Sequence, residues 1–180
     1  MIILIIFKKG RPVKITKNAI AAKCTELYWK KGIQNVTYNA AISYSECSKG
    51  TVYKLFKSED ELHLKTLEYY EKNFNSFEYE LLNNNDLFDF IESIFKPRSS
   101  PCYFFISNNN KKLLGKLSKA YLMKIEKKYV KFLCNLILRH TNKYNINTKN
   151  IDIPALAIYL MHNITLVNVM LDNKIKSKDF

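Results

Sequence analysis

Glycine and proline are scarce in this 180-residue chain, four of each. Strict period-two alternation is also missing, so a half-buried sheet has no pattern to rest on, and helical spacing recurs instead. The four cysteines, Cys24, Cys47, Cys102 and Cys134, are far apart and contain no CxxC pair. The three histidines, His63, His140 and His162, do not stand near them at metal-ligand spacing. That argues against a zinc site or a disulfide framework and fits reduced thiols in the cytoplasm. No glycine-rich phosphate loop, GxSxG, HExxH or histidine beside a nucleophile is present, so an enzyme and a bound cofactor are not expected. The carboxylate pairs Glu78/Glu80 and Asp86/Asp89 read as solvated helix faces. Long apolar runs are lacking too. "MIILIIF" at the start is seven residues long, too short for a signal-peptide core or a span. The apolar segment near the end is interrupted by His162, Asn163, Thr165 and Asn168, which argues against a membrane helix.

Acidic residues are the minority charge: 16 against 29 Lys and Arg, a formal net of +13. The imbalance is uneven. Residues 1–57 hold eleven basic and two acidic side chains, net +9, whereas residues 58–180 hold eighteen and fourteen, net +4. The first third therefore reads as the polyanion-binding part and the rest as an ordinary helical body. Within it lies "SKGTVYKLF" at 48–56, a hydroxyl cap, two lysines, a threonine and an aromatic pair on one short helix. A short, basic, hydroxyl-rich helix suits the major groove, where it can touch phosphates and base edges together.

Caps and apolar spacing predict the elements. Thr16 opens a helix that Gly32 ends, and Thr37 opens a second that runs to Tyr44. Ser45-Glu46-Cys47 is the turn, and Ser48 opens the third helix, to Leu55. Ser58 with Glu61 forms a capping box for a fourth, carried by Leu62, Leu67, Tyr70, Phe74, Phe77 and Leu81 to about Leu82. Further helices are predicted over 87–95, 113–139 and 153–173, separated by "NNND", "KPRSSP" and "HTNKYNINTKN". Val52, Leu55 and Phe56 are expected in the core. Thr37 and Ser48 are plain caps or phosphate contacts, since helix N-termini favour anions. Lys8, Lys9, Arg11 and Lys14 form a basic arm that lies along a DNA backbone, enters the minor groove, or is a disordered, merely soluble tail.

"GRP" at 10–12, "AIAAKCTELYWKKGIQNVT" at 19–37 and "SKGTVYKLFKSEDEL" at 48–62 together resemble the DNA-binding domain of tetracycline-repressor-type (TetR) transcriptional regulators. The resemblance covers residues 10–62, about a third of the chain. It implies an all-α fold of about nine helices: a three-helix helix-turn-helix domain within 1–57, and a helical effector-binding and dimerisation domain over 58–180. It implies that Lys49, Gly50, Thr51, Tyr53 and Lys54 face double-stranded DNA, with Lys57 close by. It also implies a homodimer on a palindromic operator, joined through the last two helices. Phe132, Leu136, Leu156, Leu160, Ile164, Val167 and Leu171 are the candidates for that face. A repressor released by a small-molecule effector is the implied activity. Phe88, Ile91, Phe95, Tyr103, Phe104, Tyr121 and Tyr129 are candidate pocket walls or simply core. Three departures stand out: Ala41-Ile42 replaces the family's usual Ile-Ala, Glu46 its usual glycine before the recognition helix, and Glu59 its usual lysine at the start of helix four. Two rival readings remain: a DNA-binding regulator with a filled body and no effector, and a helical protein-interaction module with a degenerate helix-turn-helix.

Overall fold

The computed structural model describes residues 15–75, 86–95, 107 and 110–172. Seven α-helices and no strand are found among them. They are α1 (Lys17–Lys31), α2 (Tyr38–Tyr44), α3 (Lys49–Leu55), α4 (Glu59–Tyr70), α5 (Leu87–Phe95), α6 (Lys116–Lys143) and α7 (Ile153–Asp172). The expected count of about nine draws also on residues 76–85 and 96–106, outside the described ones.

The first four helices begin where hydroxyl side chains satisfy their orphan amides. Thr16, Thr37, Ser48 and Ser58 each accept a hydrogen bond from the amide three residues on, at 3.2 Å in every case. Gly32 ends α1 at φ +77°, in the left-handed region that glycine enters without strain. After Tyr70, α4 loosens into a π-helical turn over Glu71–Asn75. The far end of the helix expected to run to Leu82 lies outside the described residues.

α4 ties the parts together. One side packs on α1, the other on α6, and α6 packs in turn along α7. Ile20, Cys24, Leu27 and Tyr28 of α1, Leu62, Leu67 and Tyr70 of α4, and Leu122, Ile125, Leu133 and Leu136 of α6 belong to one continuous core. Val52 and Phe56 join it from the third helix and its C-cap, and Ala157, Met161 and Ile164 from α7. Burying a large aliphatic or aromatic side chain is worth about 1.5–3 kcal/mol, so this core holds the short α2 and α3, which are too short to persist alone.

The longest helix differs from expectation at both ends. Apolar spacing places α6 over 113–139, but it starts at Lys116 and continues to Lys143. At its end, His140 and Thr141 are buried rather than solvated. The His140 Nδ1 is bonded to the Asp86 carboxylate, which also accepts from Lys143 Nζ at 2.8 Å and Tyr144 Oη at 3.2 Å. This cluster joins the residue before α5 to the last turn of α6. Polar letters that look like a loop are there paired.

Candidate nucleic-acid interface

The site is built from α2, the turn after it and α3. Ser45 closes α2, its hydroxyl donating to the Ile42 carbonyl at 2.6 Å. The chain then reverses through Glu46, whose φ of +57° is left-handed. That conformation is disfavoured by roughly 1–2 kcal/mol for a residue with a Cβ. The Glu46 carboxylate is bonded to Lys23 of α1, an exposed ion pair that draws the Lys23 ammonium above its ordinary value. Cys47 follows, half-buried, and Ser48 starts α3.

α3 has one buried side and one open side. Val52 (0% exposed) and Phe56 (1%) turn inward. Lys49, Gly50, Tyr53 and Lys54 are exposed, and Leu55 is half-buried against the core. A Cβ added at Gly50 would find no heavy atom within 4 Å, so the backbone there faces open space. Tyr53, 51% exposed, stands edge-on to Tyr38 with ring centroids 5.9 Å apart. Thr51 is half-buried and its hydroxyl lies 2.8 Å from that of Ser48. The predicted DNA-facing residues Ser48, Lys49, Gly50, Thr51, Tyr53 and Lys54 therefore sit on one short segment, with the two lysines and Tyr53 outermost.

Around this segment the remaining candidates are distributed as follows. Thr37 is exposed at the start of α2, and Lys57 is exposed just beyond α3, its amide donating to Glu61 at 2.8 Å. Glu61 also accepts from Lys17, and these bonds hold its carboxyl below the usual carboxylate range. Lys17 in turn lies over the Phe56 ring, 5.4 Å from its centroid. Arg11 and Lys14 lie outside the described residues. Of the departures, Ala41 and Ile42 are both fully buried, and Glu59 is exposed.

Sequence reading missed Asp60. Its carboxylate accepts from the Leu117 amide at 2.8 Å, the Ser118 amide at 3.0 Å and the Ser118 hydroxyl. It is the cap of α6, supplied by another helix 57 residues earlier, because Gly115 at the N-cap position has no side chain to do it. A Cβ at Gly115 would lie 2.2 Å from Asp60 Cγ, so the glycine is what admits the carboxylate. Burial works to raise the Asp60 carboxyl, but the three hydrogen bonds outweigh it and hold it low. A helix beginning at glycine, with no hydroxyl or carboxylate of its own, was the available signal.

His63 is the other unforeseen feature. It is 3% exposed, with its ring 4.9 Å from that of Tyr28, and neither ring nitrogen has a hydrogen-bond partner. Burial pushes its pKa down to about 4.

The body candidates are scattered. Phe88 is 67% exposed and stands edge-on to His140; Ile91 is half-buried. Tyr121 donates to Glu71 at the end of α4, and Tyr129 is buried beside Phe132. Tyr103, Phe104 and the Phe95 side chain lie outside the described residues. Among the interface candidates, Phe132, Leu136 and Ile164 are buried within the chain, and Leu156, Leu160 and Val167 are half-buried against the same core. The Leu171 side chain is outside the described residues. The open side of α7 instead carries Ile158, Tyr159 and Leu166. An open groove of about 410 Å³ is lined by Ala22, Lys23, Thr25, Glu26, Trp29 and Tyr69, on α1 and α4 and away from these candidates. Among the described residues no group of His, Cys, Asp or Glu could hold a metal ion, and no helix is long and apolar enough to cross a membrane.

No family model matches the chain, and no curated protein matches it in sequence. Solved structures do match in shape. Reduced NemR of E. coli superimposes with a TM-score of 0.70 over 87% of this chain and 86% of that one, at 15% identity. A cysteine mutant of CifR, a TetR family transcriptional regulator complexed with double-strand operator DNA, gives a TM-score of 0.66 over 92% of each chain, at 12% identity. The chain thus has the TetR-type fold along most of its length.

Proposed function

We propose that the protein is a cytoplasmic, DNA-binding transcriptional regulator that lays α3 in the major groove and acts as a homodimer on a palindromic operator. The observation that carries this reading is the division of α3. Val52 and Phe56 anchor it while Lys49, Tyr53 and Lys54 are exposed on the opposite side, with open space over Gly50. The operator complex of a like-folded protein supports it. Lys49 and Lys54 reach phosphate or a guanine edge, and the Tyr53 hydroxyl bonds a phosphate oxygen. Ser48 caps α3 itself, and the α2 start capped by Thr37 lies close by, with Tyr38 edge-on to Tyr53. A single helix reads only a few base pairs, which is why two copies are needed. Release by a small-molecule effector held in the body, and hence repression, completes the reading. A ligand acts there only if it binds one spacing of the two heads better than the other.

The test is a salt series on operator-containing duplex. Affinity should fall by about 0.9 log unit per log unit of salt for each phosphate neutralised. Tyr53→Phe combined with Lys54→Ala should weaken binding without lowering the melting temperature, since both side chains are exposed. The rival protein-interaction module draws on Glu46 and Glu59. Glu46 is engaged by Lys23, which leaves Glu59 as the exposed carboxylate in its favour. A flat salt response would support that rival.

A further inference from the structure

α4 and α6 run side by side in the same direction. Asp60, in the first turn of α4, bonds Leu117 and Ser118 in the first turn of α6, and Glu71, past its last turn, bonds Tyr121 and Lys128 further along α6. The start of the body's longest helix is thereby fixed beside the start of α4, which follows directly on α3 and Lys57. Two lysines arrive with it. Lys116 is the first residue of α6, one residue from the Leu117 amide that Asp60 holds, and it is exposed. Lys112, also exposed, sits in the 3-10 turn Lys111–Leu113 just before, which the buried Leu114 pins to the core. Lys119 follows one turn on, half-buried. The adjoining Lys111 is instead paired with Glu126 at 3.2 Å.

We infer that Lys112 and Lys116 form a second phosphate-binding edge, contributed by the body and extending the DNA contact past α3 and Lys57. This rests on the DNA-binding reading above. The carboxylate that fixes the edge is itself consumed by hydrogen bonds to α6, so the helix terminus does not bind the phosphate; the two side chains do. The arrangement also answers a local deficit. Glu59 puts an exposed negative charge beside Asp60, where a phosphate contact would need a cation. Lys116 is the cation that the fold brings to that level, next to the Leu117 amide that Asp60 holds from 57 residues away. Backbone contacts of this kind add affinity without reading sequence, so the edge would strengthen binding on any operator.

The experiment compares wild type with Lys112→Gln/Lys116→Gln on a duplex recovered by selection from random sequence, across a salt series. The expected result is weaker binding and a shallower salt slope, by about 0.9 for each phosphate that is no longer neutralised, with the preferred sequence and melting temperature unchanged. Charge reversal, Lys116→Glu, should weaken binding further. A double variant whose slope equals that of wild type, while Lys49→Ala or Lys54→Ala still reduces it, overturns the edge alone. A wild-type protein with no salt-dependent binding overturns the DNA reading itself, and the edge falls with it.

Discussion

Glu46 shows at the scale of one residue how a turn can tolerate strain. Its left-handed backbone is where a glycine is most easily placed, and its side chain is engaged in an exposed ion pair to Lys23. Such pairs contribute about 0–1 kcal/mol, less than the roughly 1–2 kcal/mol of backbone strain. Glu46→Gly should therefore raise stability by about 1 kcal/mol, measured by chemical denaturation, and leave α3 in place. His63 presents a different residue-scale problem. Its pKa is about 4 when buried, against an ordinary 6.5. The neutral ring is favoured in the fold, so stability is full above pH 6.5 and declines as pH falls from there towards 4. The loss is on the order of 3 kcal/mol at most. His63→Phe should keep the ring contact with Tyr28, remove two unpartnered nitrogens and hold its stability across that window. The gap between variant and wild type should widen as the solution is acidified. A constant gap would mean that the ring is not the titrating group.

Among the elements, what the sequence revealed was what neighbours along the chain decide. The hydroxyls of Thr16, Thr37, Ser48 and Ser58 cap the amides three residues on, and all four helix starts follow from that spacing. The two faces of α3 are likewise set by local periodicity, which separates Val52 and Phe56 from Lys49 and Tyr53. What spans the chain was not visible. Asp60 looks like an ordinary acidic residue favouring the start of α4, yet its carboxylate serves α6. His140 looks like the beginning of a polar loop, yet Asp86, 54 residues away, keeps it in the helix. Lys143 and His140 together hold the Asp86 carboxyl well below the usual range. The Asp60 cap can be broken from either side. Asp60→Ala removes the acceptor, and Gly115→Ala drives a methyl into it. Each should lower stability by about 1–2 kcal/mol, read by thermal melting, and the double variant should show less than the sum because both break one interaction. Additive effects would show that the two act separately.

For the whole molecule, the proposed homodimer needs a surface for a second copy. The long α6 and α7 were expected to supply it, and an all-round apolar helix gave no way to tell an inner stripe from an outer one. The structure divides them: Phe132, Leu136 and Ile164 close the chain's own core, and Ile158, Tyr159 (64% exposed) and Leu166 (57%) remain outside on α7. Two variants should therefore behave in opposite ways. Tyr159→Asp with Leu166→Asp should give a folded monomer by sedimentation, with weakened DNA binding. Leu136→Asp should unfold the chain, because it places a charge where no water reaches. A double variant that stays dimeric would remove this stripe from the interface.

The central claim is that α3 is presented outward, in duplicate, to DNA. Selection of bound duplexes from random sequence by the intact protein tests it most directly. Enrichment of an inverted repeat, its half-sites about one helical turn apart and its recovery reduced in the Tyr53→Phe/Lys54→Ala variant, is the predicted result. A pool that gains no common sequence, or a recovered site unaffected by changing those two residues, would contradict it.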